Sequence, residues 1–392
     1  MREPILVLNA GSSSVKFSVF ETEADRSLTA AFHGAVDAIL QSPRMTVHET
    51  GGNALLDRPV APGHDNAIAA INDWLAERIG GETALAGVGH RIVHGGTRYV
   101  RPVVIDAQTL TDLDALVPLA PLHQPHNLAA IRAVRAVAPN IPQIACFDTA
   151  FHATLPLPAR TYALPRQLTA RGIRRYGFHG LSYEYIVSAL PGVAPECVGK
   201  KLIVAHLGNG ASLCAIDDGR SIATTMGLTP LDGLMMGTRA GALDPGILLY
   251  LLQHEEVNPE AVADLLYAQS GLLGVSGLSS DMRTLLGSDA AAAREAVDLF
   301  VYRMGQELGA MAAALKGPDA LIFTGGIGEH AAEIRARVCR DALWLGMALD
   351  ERANARHGPR ISPADAAVSV WVVPTDENLM IARHTRRLLD GR

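Results

Sequence analysis

The sequence predicts an α/β protein built from two domains. Short apolar runs alternate along the chain with segments of helical periodicity, a pattern that is typical of α/β folds. The chain has 392 residues, which is more than one hydrophobic core usually serves. One strand–turn–strand pattern occurs twice, in ILVLNAGSSSVKFSVF and LIVAHLGNGASLCAID. We therefore expect a duplicated architecture of two similar halves that face each other across a cleft.

The first half is expected to begin with a hairpin. Residues 5–8 and 15–20 are predicted strands that flank a short polar turn. Apolar residues at helical spacing around Trp74 then predict an amphipathic helix. Asn127 is interpreted as the N-cap of the next helix, and the strand after that helix places Asp148 at its carboxyl end.

The second half repeats the hairpin and adds a long helix. Residues 201–205 and 213–216 are the second pair of predicted strands, and the alanine-rich residues 289–315 predict one long helix. In ALIFTGGIGEH a strand is expected to run into a helix that starts after Gly328. The proline-dotted segment FDTAFHATLPLPAR places the domain boundary near residue 150.

The composition excludes several classes of protein. The hydrophobic fraction of 48% and the charged fraction of 19% are those of a globular protein. A net charge of -6 argues against a nucleic-acid partner, because no basic excess is available for phosphates. The first apolar run is too short for a signal peptide or a membrane span. The widely spaced cysteines form no CxxC pair, which predicts reduced thiols in a cytoplasmic protein without a membrane partner.

Glycine- and serine-rich turns join the predicted strands. Their exposed backbone N–H groups can form a concavity for phosphate oxygens. One such turn is weak evidence, since tight hairpins use the same residues. Two copies and the strand–Gly–Gly–helix segment together favour phosphate binding. Lys16 follows the first turn, where an ammonium group can meet phosphate charge; its alternative is a solvated strand lysine.

Two arginines lie between glycines in otherwise apolar segments. Arg91 is in GHRIVHGG and Arg239 is in GTRAG. Arginine grips a carboxylate or a phosphoryl group through two parallel hydrogen bonds, and neighbouring glycines allow a close approach to the ligand. The alternative for either residue is a surface salt bridge.

Further candidates are an aspartate, two histidines and a late acidic motif. FDTAFH and YGFHG place Asp148, His152 and His179 among aromatic residues, where a histidine can also be a hydrogen-bonded core residue. Glu377, in PTDEN, is either a functional carboxylate or the start of a capped helix. The sequence contains no His/Cys cluster with the spacing of zinc ligands. The metal implied is therefore a hard cation held by oxygen ligands and substrate phosphates.

These motifs together identify a family resemblance. The chain carries, in order and from end to end, LNAGSSSVKF, GHRIVHGG, FDTAFH, YGFHG, AHLGNGASL, TPLDGLMMGTRAGALDPG, FTGGIGE and PTDEN. This set closely resembles the acetate kinases, within the sugar-kinase/Hsp70/actin superfamily. The resemblance implies two actin-like ATPase domains with duplicated mixed-sheet βββαβαβα cores. Their expected ranges are 1–150, joined by a C-terminal helix of about 379–392, and 151–378.

The resemblance also implies an activity and its residues. The reaction would be reversible phosphoryl transfer between ATP and acetate, giving acetyl phosphate and ADP, in a homodimer that uses Mg²⁺ or alternatively Mn²⁺. The catalytic residues would be Arg91, Asp148, His179 and Arg239. The metal-side residues would be Asn9 and Glu377. The pocket for the acetate methyl group would comprise Val93, Leu122, Phe178 and Pro230, with Arg91 on the carboxylate. The nucleotide contacts would be Lys16, His206, Leu207, Gly208, Asn209, Gly210, Asp281, Met282, Arg283, Gly326, Ile327, Gly328, Glu329 and His330.

The chain departs from the family pattern at two motifs. The usual GIGEN reads GIGEH, which puts the nucleotide contact of His330 in doubt. The usual TNEE reads TDEN, which leaves Glu377 as the only glutamate of that motif.

The expected mechanism needs no general base, because acetate is already ionised at neutral pH. Asp148 would then orient an arginine or a water of the magnesium shell. Two alternatives stay open, a propionate kinase and a non-metabolic actin- or Hsp70-like nucleotide-dependent protein. The second has no use for a pair of arginines that bind a free carboxylate, so Arg91 and Arg239 argue against it.

Overall fold

The computed structural model describes residues 4–11, 13–79, 85–255 and 257–391. Its strands are β1 (Ile5–Ala10), β2 (Ser14–Thr22), β3 (Leu28–Asp37), β4 (Arg44–Glu49), β5 (Ala54–Pro59), β6 (Gly87–Ile92), β7 (Val103–Val104), β8 (Gln143–Phe147), β9 (Lys201–Leu207), β10 (Ala211–Asp217), β11 (Arg220–Thr224), β12 (Ala320–Thr324) and β13 (Ser369–Val372).

The helices lie mainly between these strands. They are α1 (His64–Ile79), α2 (Ala107–Asp114), α3 (Gln124–Val137), α4 (Leu157–Arg160), α5 (Arg166–Ala170), α6 (Gly180–Val193), α7 (Pro245–Gln253), α8 (Pro259–Ala268), α9 (Gly271–Ser276), α10 (Met282–Leu286), α11 (Ala291–Leu315), α12 (Gly325–His330), α13 (Ala332–Asp341), α14 (Glu351–Ala355) and α15 (Glu377–Asp390). Among the described residues, none of the helices combines the length and the apolar character that crossing a membrane requires.

The chain divides into two compact units, each with one mixed sheet. The first unit comprises Met1–Ala150 and Asp376–Arg392, and the second comprises Phe151–Thr375. The first sheet has the strand order β5-β4-β3-β2-β1-β6-β8-β7, and the second has the order β11-β10-β9-β12-β13. The α/β class is thereby confirmed.

The two sheets share one pattern of connections. In the first, β1 pairs antiparallel with β2 and parallel with β6, which pairs parallel with β8. In the second, β9 pairs antiparallel with β10 and parallel with β12, which pairs parallel with β13. The run β3-β2-β1-β6-β8 therefore corresponds to β11-β10-β9-β12-β13, which confirms the duplicated architecture.

Helices cover the sheet of the first unit on both faces. Side chains of α1 and α3 join those of β1, β2 and β4 in one apolar core. On the other face α15 lies directly on β1 and β6. Gly89 makes this close approach possible, because a Cβ atom there would lie 2.4 Å from the Thr385 hydroxyl oxygen. In the second unit, α6 packs with β9, β10 and β12, and α11 contacts β10.

Two local predictions are wrong. Asn127 is not an N-cap, since α3 begins at Gln124 with a proline in its first turn. The buried Asn127 amide instead accepts from the Val93 N–H (3.0 Å) and donates to the Ala10 carbonyl (2.7 Å). Similarly, α12 begins at Gly325 rather than after Gly328. Gly325 has φ +76°, and a Cβ atom there would lie 2.8 Å from the Leu207 carbonyl oxygen, so only glycine fits.

Other local predictions are confirmed. The long alanine-rich helix is α11, which ends at Leu315 and has Lys316, with a left-handed backbone, as its C-cap. All four cysteines are free thiols and buried.

Candidate active site

The predicted site residues of the first unit lie at the carboxyl ends of its parallel strands. Asn9 is near the end of β1, Arg91 near the end of β6, and Asp148 directly follows β8. Because β1, β6 and β8 are parallel neighbours, their carboxyl ends meet at one edge of the sheet. The backbone N–H of Asp148 also donates to the Ile92 carbonyl (3.0 Å), which joins the chain segments after β6 and β8.

Arg91 and Asp148 form a two-pronged ion pair. The Arg91 Nε donates to both Asp148 carboxylate oxygens (3.0 and 3.2 Å), and Nη2 donates to Oδ2 (2.6 Å). Glu377 adds a second carboxylate, 3.8 Å from the Arg91 Nε. Burial opposes the charge of Arg91, but the two facing carboxylates outweigh it and raise the pKa of the guanidinium above its usual value. Arg91 is therefore a fixed cation.

Glu377 lies at the start of a capped helix, as one of its two interpretations predicts. It is the first residue of α15, whose N-cap Asp376 accepts from the Leu379 N–H (2.8 Å), so the predicted capped helix start is confirmed. Its carboxylate nevertheless lies 3.8 Å from the Arg91 Nε. Whether it also binds a metal stays a prediction.

The remaining predicted residues of this unit differ in exposure. Asn9 and Lys16 face each other across the β1–β2 pairing, and Lys16 is exposed. Val93 is buried, with its N–H held by Asn127. Leu122 is 46% exposed. Sequence reasoning missed the role of Asn127, which ties the ends of β1 and β6 together.

The donor chemistry of this unit fits a hard cation. The described residues contain no group of three or more His, Cys, Asp or Glu side chains suited to a metal ion. Magnesium commonly takes only one or two protein carboxylates and completes its shell with water and phosphate oxygens. The Glu377 carboxylate and the Asn9 amide oxygen are ligands of the required type.

In the second unit His179 has an unusual backbone. It precedes α6 with φ +57° and ψ +23°, a left-handed conformation that is rare for a residue with a side chain. Its Nδ1 atom lies 2.9 Å from the Ser212 hydroxyl oxygen. The carbonyl of the preceding Phe178 accepts from His152 Nε2 (2.8 Å). Burial lowers the pKa of His152 to about 4, so His152 is the neutral core histidine that the alternative interpretation describes.

Arg239 and His179 converge on the glycine turn after β9. Arg239 lies in the segment before α7, where its Nη1 donates to the Pro230 carbonyl (2.6 Å). A Cβ atom on Gly210 would lie 2.7 Å from Arg239 Nη2 and 3.2 Å from His179 Nε2. The absence of a side chain at Gly210 thus lets an arginine and a histidine approach the same point of the backbone.

A cavity of about 720 Å³, open solvent included, lies beside this turn. Its lining includes predicted nucleotide contacts, namely Gly208, Asn209, Asp281, Met282, Arg283, Gly326, Ile327 and His330. Sequence reasoning missed Leu286 and Ala331, which also line it. Leu286 follows Met282 at helical spacing, a signal that could have been used.

The other predicted nucleotide contacts are not in that lining: Lys16, His206, Leu207, Gly210, Gly328 and Glu329. The Glu329 carboxylate accepts from the Gly325 N–H (2.9 Å) and from the Thr375 N–H (3.3 Å). In this structure Glu329 therefore stabilises the start of α12 and the segment after β13.

Comparisons with known proteins identify the family. Residues 4–383 match the model of the acetokinase family. The chain is 53% identical to an acetate kinase of Rhodopseudomonas palustris over an alignment of 397 positions that covers 100% of both proteins. The chain belongs to the acetokinase family. The resemblance drawn from the motifs is confirmed, and the chain is an enzyme, a phosphotransferase with a carboxyl group as acceptor.

Solved structures of family members have the same fold. The acetate kinase of Porphyromonas gingivalis is 37% identical with a TM-score of 0.89, covering 99% of this chain and 100% of that one. A propionate kinase of Francisella tularensis is 35% identical with a TM-score of 0.92, covering 98% and 99%. Membership of this enzyme family sets aside the alternative of a non-metabolic actin- or Hsp70-like protein.

Proposed function

We propose that this acetokinase-family chain transfers a phosphoryl group reversibly between ATP and the carboxylate of acetate, with Mg²⁺ as cofactor. The observation that carries the proposal is the convergence of Arg239 Nη2 and His179 Nε2 on Gly210, next to the 720 Å³ cavity. A cationic donor and an imidazole beside a nucleotide cavity suit the charge that develops on a transferring phosphoryl group.

Arg91 is proposed to hold the carboxylate of acetate. Its hydrogen bonds to Asp148 come from the Nε and Nη2 atoms of the guanidinium. Asp148 accepts three hydrogen bonds from Arg91 at 2.6–3.2 Å, so its carboxylate is committed to orienting the arginine. We infer that Asp148 is a positioning residue and that the attacking acetate, already ionised, loses no proton.

Magnesium would be held by Glu377 and Asn9 together with phosphate oxygens. When bound, it supplies positive charge that offsets the charge of the phosphates. Lys16, exposed on β2 opposite Asn9, is proposed to add a further cation toward the nucleotide.

A hydroxamate assay with acetate and ATP tests the proposal directly. The parent protein should form acetyl hydroxamate only with ATP and a divalent cation present. Arg239→Ala should lower kcat by about 100-fold or more and leave the KM for ATP nearly unchanged, because its charge matters most in the transition state. Equal turnover of Arg239→Ala and the parent would remove this role from Arg239.

Propionate is the second candidate substrate, because a structural relative at TM-score 0.92 is a propionate kinase. The buried, β-branched Val93 supports acetate, since it limits the space for a longer acyl chain. The same assay with propionate and butyrate decides: we expect kcat/KM to fall in the order acetate, propionate, butyrate.

We also propose a cytoplasmic homodimer whose two domains are the two compact units. The four free thiols support a reducing compartment. Helix α7 supports self-association, since its sequence PGILLYLLQ contains no buried residue and Leu249 and Tyr250 are 55% and 54% exposed. Light scattering after gel filtration should give the dimer mass for the parent and a lower mass for Leu249→Glu.

A further inference from the structure

The imidazole rings of His179 and His206 stack in the second unit, and a hydroxyl group contacts the Nδ1 atom of each. Their ring centroids are 4.2 Å apart at an interplanar angle of 26°. The Ser212 hydroxyl lies 2.9 Å from His179 Nδ1, and the Ser182 hydroxyl lies 2.8 Å from His206 Nδ1. In both imidazoles, therefore, the Nδ1 atom contacts a serine hydroxyl.

The other ring nitrogen of His179 faces the glycine turn. Its Nε2 atom would lie 3.2 Å from a Cβ atom on Gly210, which Arg239 Nη2 also approaches. Phosphoryl oxygens only accept hydrogen bonds, so an imidazole that stabilises them must carry a proton on the nitrogen that faces them. For a neutral imidazole, a proton on Nε2 leaves Nδ1 as an acceptor.

Three hydrogen bonds connect Tyr183, Ser212 and His179. The Tyr183 hydroxyl lies 2.5 Å from the Ser212 hydroxyl oxygen, which in turn contacts His179 Nδ1. The Tyr183 N–H donates to the His179 carbonyl (3.1 Å), one turn earlier along the chain. Tyr183 and Ser212 are fully buried, so these contacts are shielded from water.

These hydrogen bonds fix a residue that has a strained backbone. The left-handed conformation of His179 persists only where neighbouring structure holds it. The carbonyl and the imidazole of His179 are both held, by Tyr183 and Ser212 respectively. The position of the His179 imidazole and its tautomer therefore both have a local physical cause.

We propose that Ser212 and Tyr183 are positioning residues that keep the His179 imidazole protonated at Nε2. Tyr183 donates its hydroxyl proton to the Ser212 oxygen, and Ser212 then donates its own proton to His179 Nδ1. A serine hydroxyl can accept and donate at once, and the proton positions follow from this chain of contacts. The inference rests on the proposed function in assigning the Nε2–H group to the phosphoryl oxygens.

Kinetics of two variants provide the first test. Tyr183→Phe removes one oxygen and keeps the ring, and Ser212→Ala removes the direct partner of Nδ1. We expect kcat to fall about tenfold in Tyr183→Phe and about 100-fold in Ser212→Ala, with each KM within about threefold of the parent. Tyr99→Phe is the matched control, since it removes a tyrosine hydroxyl bonded to Asp112 (2.6 Å) in the other unit. Its kcat should equal that of the parent.

Nitrogen-15 NMR of the histidine rings in the full chain provides the second test. The His179 signals are assigned by their loss in His179→Gln. The parent should show the Nε2–H form, and Tyr183→Phe should show a mixture of both tautomers. An Nδ1–H form in the parent, or unchanged kcat in both variants, overturns the inference. If the parent turns over no acetate, the proposed function fails, and the ring signals alone still decide the tautomer.

Discussion

Replacing Gly210 with alanine should separate catalysis from folding in this enzyme. The backbone φ of Gly210 lies outside the left-handed region, so alanine can adopt it without strain. The new Cβ atom would lie 2.7 Å from Arg239 Nη2, whereas an ordinary contact needs about 3.4 Å. Arg239 must therefore withdraw by about 0.7 Å, the difference between these two distances.

The size of the effect follows from that displacement. Arg239 Nη2 is the far end of a flexible side chain, so moving it costs little folding energy. A catalytic group misplaced by about 1 Å can cost about 100-fold in rate, and one donor to developing charge is worth about 100- to 1,000-fold. We expect kcat to fall about 30- to 100-fold, or about 2–3 kcal/mol. The free energy of unfolding should change by less than about 1 kcal/mol.

Steady-state kinetics and thermal unfolding of the same preparation measure both quantities. Gly305→Ala, in α11, is the control, because a Cβ atom there meets nothing within 4 Å. It reports the general effect of replacing glycine with alanine, a stabilisation of about 0.5–1 kcal/mol without a change in kcat. A Gly210→Ala enzyme with kcat within twofold of the parent would refute the reasoning. A loss confined to the KM for ATP would move Gly210 from catalysis to nucleotide binding.

Four further predictions follow from the other contacts. Asp148→Asn should lower kcat strongly without changing the shape of its pH profile, because Arg91 loses its orienting charge; the disappearance of an acidic limb would instead identify a general base. Glu377→Ala should raise the Mg²⁺ concentration needed for half activity, and an unchanged concentration would leave Glu377 as a helix-start residue only. Val93→Ala should shift the ratio of kcat/KM for acetate over propionate toward propionate; a methylene forced into a packed pocket costs about 1–3 kcal/mol, and a ratio that does not move would take Val93 out of the pocket. Burial lowers the pKa of His90 to about 4, so between about pH 6.5 and pH 4 the unfolded chain binds a proton at this residue and the folded chain does not. The contribution of His90 to the free energy of unfolding should therefore be fully present above about pH 6.5 and should be lost as the pH falls toward about 4. Urea titrations at pH 7 and pH 5 should show a smaller loss in His90→Gln than in the parent.

Elements that depend on local chemistry could be predicted from the sequence. The hairpins β1–β2 and β9–β10 follow from apolar runs separated by glycine turns, and α11 follows from alanine-rich periodicity. The motifs around Arg91 and Asp148 also located residues that the fold joins in one ion pair, although 57 positions separate them in the chain. Parallel strands explain this, since their carboxyl ends meet at one edge.

Predictions failed where distant contacts override local preference. Asn127 has the chemistry of an N-cap, but its amide is used on two backbone segments that no local pattern reveals. Ser212 and Tyr183 meet across 29 positions, and neither residue type alone signals a contact with a histidine. The nucleotide contact of Glu329 stays a prediction, but no local pattern revealed that its carboxylate also accepts from the Thr375 N–H, 46 positions away. Such roles depend on tertiary packing, which a single sequence does not encode in any short window.

The position of α15 on the first sheet has a consequence for synthesis on the ribosome. Residues 4–150 emerge before the second unit, but the face of β1 and β6 that α15 covers stays open until residues 377–390 have also been made. The second unit, by contrast, is continuous from Phe151 to Thr375 and contains all of its own strands before α15 appears. Contacts between chain ends are slow to form because a long loop must close first. The strands of the first unit are therefore made before those of the second, yet the first unit is completed after it.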